Sequence, residues 1–188
     1  MARVTWDGGT AYEMRLDGRC DAPPSSVYER LADLSTHLEW GGRRQRRGFR
    51  LLVLQADGPA VVGTSFASRG TVPMSLARSE DRSVVVDASP GTAFEFHTDM
   101  TVHWPLGTRT TAQWEHRYEI TPDGEGSRVV YRLRRTATTD PPLRMRVPLM
   151  RAMTHRLMIP FYCRRGFTNL LRTSDLARAG AGSHHADH

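Results

Sequence analysis

Three stretches in the second half of the chain alternate apolar and polar residues with a period of two. In the first, Phe94, Phe96, Thr98 and Met100 share one side. In TAQWEHRYEIT, Trp114, His116, Tyr118 and Ile120 point one way, and Gln113, Glu115, Arg117 and Glu119 the other. In SRVVYRLRRT, Val129, Tyr131 and Leu133 oppose Arg128, Arg132 and Arg134. Such alternation marks antiparallel strands with one wet and one buried face. A sheet of this kind needs a cover for its apolar face. Residues 143–178 supply one: they are rich in helix formers, and Leu149, Met153, Leu157 and Phe161 recur every four residues, with Met150, Thr154 and Met158 beside them. That is a wide apolar stripe for a helix lying on a sheet. Pro148 can start this helix, Pro160 is expected to kink or interrupt it, and Gly166 adds a flexible point.

The remaining elements fit the same plan. In 11–18, Tyr12, Met14 and Leu16 face one way, as in a half-buried strand. Pro23-Pro24 stops it and starts a short helix with Val27, Leu31 and Leu34 on one face. Ser35 is expected to cap a second short helix ending near Trp40. Residues 49–56 and 61–72 read as strands. Residues 75–80 and 83–88 read as two strands parted by Glu80-Asp81-Arg82, or as one bulged strand. Turns fall at Asp57-Gly58-Pro59, Ser89-Pro90-Gly91 and Pro122-Asp123-Gly124. The expected fold class is α+β: a curved antiparallel sheet of about seven strands around a long C-terminal helix, with two short helices after strand 1. Residues 1–10 are expected to be a loose leader, 11–178 a single domain and 179–188 a flexible tail.

Composition narrows the function. The chain has 188 residues, enough for one substantial core, with 39% hydrophobic and 24% charged residues. Cys20 and Cys163 form no CxxC pair, the first residues carry no apolar run like a secretory signal, and no run of apolar residues approaches a membrane span. A cytoplasmic location is expected. The net charge of +6 comes from arginine alone, since the sequence has no lysine. GC-rich coding accounts for that bias better than specific nucleic-acid binding does. The densest cluster, Arg43, Arg44, Arg46 and Arg47, reads as a solvated loop; the alternatives are steering of an anionic ligand or contact with phosphates. Arg144, Arg146, Arg151 and Arg156 around the last helix allow transient contact with an anionic membrane. No HExxH motif or paired cysteine site is present, His97 and His103 lack a third ligand, and His184, His185 and His188 lie in the tail, so no metal is expected. P-loop, dinucleotide and GxSxG motifs are also lacking, and no cofactor is expected.

The order strand, two short helices, meander, long helix resembles the START-like, Bet v 1-like (SRPBCC) superfamily, and within it bacterial polyketide cyclase/dehydrase-type proteins. Ala22-Pro23-Pro24-Ser25-Ser26-Val27-Tyr28-Glu29 with Leu31-Ala32-Asp33-Leu34 looks like the opening helix. His37 and Trp40 look like the end of the second. Val84 to Phe94 looks like the middle hairpin, and Gly126-Ser127-Arg128-Val129 the entry to the last strand. Gly166, Asn169, Leu170 and Leu171 resemble the late-helix pattern, with Asp175 where that family often has Glu. The Met-, Arg- and Pro-rich segment from Arg146 to Arg165 departs from it.

The resemblance implies an elongated cavity between sheet and helix. Its candidate lining is Trp40 and Phe66, then Phe94, Phe96 and Met100, then Trp114, His116, Tyr118 and Tyr131, and, from the helix, Met153, Leu157 and Phe161. The alternative is that these side chains form a solid core. Binding of a hydrophobic small molecule, a lipid or an aromatic or polyketide metabolite, is the leading reading. A polyketide aromatase/cyclase-like enzyme is an alternative, with His116 as acid or base and Tyr118 or Tyr131 donating to a substrate carbonyl. Cys163, beside Arg164 and Arg165, reads as a buried or inert thiol, with a nucleophile favoured by those arginines as the alternative. A regulatory protein acting through Arg43–Arg47 is a third reading. The chain is expected to be a monomer or homodimer.

Overall fold

The computed structural model describes residues 2–6, 8–41, 50–52, 59–72, 76–105, 107–139 and 147–183. The Arg43–Arg47 cluster, the Asp57-Gly58 turn, Arg144, Arg146 and the tail histidines lie outside the described residues. The strands are β1 (Arg3–Trp6), β2 (Tyr12–Cys20), β3 (Arg50–Leu52), β4 (Ser65–Thr71), β5 (Arg78–Ser89), β6 (Ala93–His103), β7 (Arg109–Asp123) and β8 (Gly126–Thr138). They form one antiparallel sheet in the order β1-β2-β8-β7-β6-β5-β4-β3. Helix α1 (Pro24–Ala32), a 3-10 turn (Leu34–Thr36) and α2 (His37–Gly41) follow β2. Helix α3 (Pro148–Met153), a π turn (Thr154–Met158) and α4 (Ile159–Ser183) complete a helix-grip fold.

Strands β2 to β8 are the expected seven-stranded meander, and alternation sets their inner faces: Tyr12, Met14 and Leu16 are buried, as are Phe94 and Phe96, Tyr118 and Ile120, and Val129, Tyr131 and Leu133. The expected loose leader is instead an eighth strand over Arg3–Trp6, paired with β2 from Arg3↔Arg15 to Trp6↔Tyr12. Its anchors lie far along the chain. The Trp6 ring stacks on His155, with centroids 4.5 Å apart, and Arg135 donates to the carbonyls of Gly9 and Thr10. The segment around Glu80-Asp81-Arg82 is a single strand, β5, with an irregularity between Val85 and Asp87. The second helical segment is capped by Asp33, whose carboxylate accepts from the Ser35 amide at 3.0 Å, and not by Ser35.

The C-terminal helices run without a break. Proline cannot donate, and its ring crowds the carbonyl four residues back. The π turn immediately ahead of Pro160 is the form the expected interruption takes. Helix α4 seats directly on β2 at Gly18, where a Cβ would lie 2.6 Å from Leu171 Cδ1 and 2.9 Å from Phe167 Cε1. Only a residue without a side chain permits that approach. At the far end, Asp175 Oδ1 accepts from the amides of Asp21 (2.8 Å) and Ala22 (3.0 Å), tying the helix to the corner after β2.

The face the helix buries differs from the one its periodicity marks. His155, Phe167, Leu170 and Ser174 are buried, whereas Leu149 is 76%, Leu157 65% and Phe161 59% exposed. The inner stripe carries small and polar residues because it meets strand backbone at Gly18 and the cavity described below.

Candidate functional site

Between the sheet and the helices lies a cavity of about 310 Å³. Its floor comes from inward positions of five strands: Phe66 and Ser68, Asp81 and Ser83, Phe96, Thr98 and Met100, Trp114, His116 and Tyr118, and Tyr131 and Leu133. Helix α2 and the turn before it close one side with His37, Leu38, Trp40 and Gly41. Helix α4 closes the top with Ile159, Tyr162, Cys163, Gly166 and Phe167.

The structure brings eight of the twelve residues singled out from sequence to this cavity: Trp40, Phe66, Phe96, Met100, Trp114, His116, Tyr118 and Tyr131. Phe94, wholly buried, packs in the core, edge-on to Tyr28 and tilted against Phe96. Met153, Leu157 and Phe161 stay outside the cavity. Leu157 and Phe161 sit on the exposed face of the helix, where they flank a surface groove with Arg156, Arg164 and Arg165. The helix presents Ile159, Cys163, Gly166 and Phe167 to the cavity instead.

The aromatic rings form one continuous wall. Phe96 stacks on His116 with centroids 4.5 Å apart and planes 11° from parallel. Tyr118 stacks on Tyr131 at 4.6 Å, and Phe66 meets Phe96 edge-on at 5.2 Å. Such pairs add specific geometry to large apolar area.

Two polar groups interrupt this wall. At the first, His116 Nδ1 and the Tyr131 hydroxyl share a hydrogen bond of 2.9 Å. The surface His116 retains faces the cavity. Burial pulls its imidazole down to about 3, with a smaller contribution from His97, so the ring is neutral at pH 7. Burial likewise holds the hydroxyls of Tyr118 and Tyr131 above the usual tyrosine range. Burial pushes the Cys163 thiol up to about 12, against a smaller opposing effect of its bond to Tyr131. The inert-thiol reading fits this placement: Arg164 and Arg165 are exposed while Cys163 lines the cavity. His37 is structural: its Nε2–H donates to the Leu31 carbonyl at 2.7 Å, and burial lowers it to about 4.

The second polar group was not singled out from sequence. Ser68 Oγ donates to Asp81 Oδ2 at 3.1 Å, and Ser83 Oγ and Thr98 Oγ1 are 2.8 Å apart. Burial raises the Asp81 carboxyl to about 6, with the Ser68 bond acting the other way. The alternation Ser79-Asp81-Ser83-Val85 was the available signal, since all four share one side of β5. No group of three or more potential metal ligands occurs among the described residues.

No protein-family model and no curated protein matches the chain. Solved structures do match. Protein TTHA0849 from Thermus thermophilus is 21% identical with a TM-score of 0.57, covering 88% of this chain and 98% of its own. Protein CV1439 from Chromobacterium violaceum is 16% identical with a TM-score of 0.57, covering 87% and 97%. Ara h 8.0201, a Bet v 1 homologue, is 9% identical with a TM-score of 0.57, covering 87% and 97%. At these identities the likeness is one of fold, and that fold is Bet v 1-like. Among the described residues no helix is long and apolar enough to cross a membrane.

Proposed function

We propose that the protein binds a compact hydrophobic small molecule between its sheet and its C-terminal helix. The observation that carries this reading is the cavity of about 310 Å³, walled by stacked aromatic rings and holding few polar groups. Small-molecule pockets run from about 300 to 1,000 Å³ and share that mixture, so the cavity suits a small aromatic or short acyl metabolite better than a long lipid. The Bet v 1-like fold agrees with this reading without naming a ligand.

The cyclase-like alternative draws support from the polar groups in the cavity, but it shifts away from His116. A general base works best with a pKa near the working pH. An imidazole held at about 3 is a weak base, and its bond to Tyr131 suits it to orienting a bound molecule. Asp81, at about 6, lies closer to the useful range.

The test is native mass spectrometry of gently purified protein, with extraction and identification of whatever is released, beside a cavity-filling variant. Gly166 lines the cavity, and a Cβ there would meet nothing nearer than the Trp40 carbonyl oxygen at 3.9 Å. Gly166→Leu should keep the fold and exclude the ligand. A stoichiometric adduct on the wild type that the variant loses supports the reading. A wild type that stays bare against a panel of apolar compounds, or a variant that binds as well as the wild type, refutes it.

A further inference from the structure

Strand β5 turns Ser79, Asp81 and Ser83 inward before Val85 resumes the apolar face; Ser79 and Ser83 are as deeply buried as Val85. The Asp81 carboxylate stands on the cavity floor, flanked by Phe66 and Ser68 from β4 and by Thr98 and Met100 from β6. It receives one hydrogen bond, from Ser68 to Oδ2. Its other oxygen, Oδ1, is buried and has no hydrogen-bond partner among the described residues. Among the described residues no cationic side chain lines the cavity and Asp81 enters no ion pair.

A carboxylate in this position is expensive. An ionised group removed from water without a counter-charge or a full set of donors is strongly disfavoured, and buried polar atoms in native proteins are nearly always satisfied. Nothing in the fold requires the charge: β5 pairs through its backbone, and an apolar residue would serve the inner face. Asp81 lines the cavity, and beside the bond from Ser68 its Oδ2 keeps a lone pair for a donor brought there. The cavity's other polar groups include the neutral His116–Tyr131 pair and the Cys163 thiol. None of them carries a positive charge to offset the repulsion of an anionic head by Asp81.

We propose that Asp81 is the polar anchor of the cavity, and that the ligand is a compact hydrophobic body carrying a hydrogen-bond donor, a hydroxyl or an ammonium group, rather than an anionic head. This rests on the cavity-binding reading above. It also runs against the net charge of +6, which by itself attracts anions.

The experiment compares naphthylmethylamine, naphthylmethanol, naphthoate and plain naphthalene, which share one ring system and differ in the head. Binding is measured by calorimetry at pH 8 on the wild type and on Asp81→Asn, with cooperative thermal unfolding as the control for folding. The wild type should bind the amine about tenfold tighter than naphthoate, and the variant should lose about tenfold of its amine affinity. The alcohol should change by less than about threefold, because the Asn carbonyl still accepts its hydrogen bond. If the wild type binds naphthylmethanol at least as tightly as naphthylmethylamine, the donor is a hydroxyl; if it prefers the amine and loses that preference in Asp81→Asn, it is an ammonium group. Naphthoate binding as tightly as the amine, or a variant that keeps the wild-type order, overturns the anchor while binding of naphthalene leaves the cavity reading standing. Failure of all four compounds on the wild type overturns both.

Discussion

Replacing Asp81 with Asn should stabilise the protein at neutral pH and lose that advantage in acid. The carboxyl sits at about 6 in the folded chain against an ordinary value of 3.8. Below about pH 4 both folded and unfolded states hold the proton, and burial carries no charge penalty. From about pH 4 to 6 the unfolded chain has released its proton while the folded chain retains it, so each step toward higher pH favours unfolding. Above about pH 6 both are ionised and the penalty is complete. At about 1.36 kcal/mol per decade, the interval amounts to about 3 kcal/mol. Asn cannot ionise. Its carbonyl keeps the Ser68 bond, while its amide nitrogen takes the unpartnered place, at a cost of about 1–3 kcal/mol that does not vary with pH. The assay is urea unfolding of wild type and variant from pH 4 to pH 7.5, followed by circular dichroism. The stability difference, variant minus wild type, should rise by about 3 kcal/mol across that range. In a domain this size that is roughly 6–12 °C in Tm. A difference that stays flat with pH, or that grows toward acid, would refute the claim that a lone buried carboxylate occupies the cavity floor.

Two further outcomes test the fold that positions the site. Leu157→Ala and Phe161→Ala should each change stability by less than about 0.5 kcal/mol, because both side chains face water, whereas Leu170→Ala on the buried face of the same helix should cost about 2–5 kcal/mol; urea midpoints compare them. Gly126→Ala should cost about 3 kcal/mol or more, because its Cβ would overlap the Cys20 carbonyl and press on the Asp21 backbone where β2 and β8 meet, and chemical denaturation measures the loss.

The sheet was legible from sequence because its inner face is apolar where it is solid. Phe94, Ile120 and Val129 pack against neighbours on every side, and a period of two betrays them. The N-terminal strand was not legible. Four residues have no pattern of their own, and what fixes Trp6 is a ring stack with His155, far along the chain. The helix misled for a different reason. It carries two stripes at the same period, and hydrophobicity selects Leu149, Leu157 and Phe161 over His155, Ile159, Cys163, Phe167 and Ser174. Burial selects the second set, because Gly18 offers a seat only at Phe167 and Leu171 and the cavity admits thin residues such as Cys163 and Gly166.

The same reasoning explains why the site was half visible. A side chain that lines a cavity need not fill space, so the pressure toward large apolar residues relaxes there. His116 was visible because Trp114 and Tyr118 fix its parity. Asp81 was hidden because Glu80-Asp81-Arg82 read as a charged break between two strands, or as part of one bulged strand, and neither reading turns Asp81 inward. In β5 polar residues stand on both faces, yet only the outer ones have water. The inner ones hold hydrogen-bonding capacity that the fold leaves partly unused, at Ser79 Oγ and Asp81 Oδ1. Where a buried strand loses its apolar period without losing its ladder, the residues that break the period are the ones selected for something other than packing.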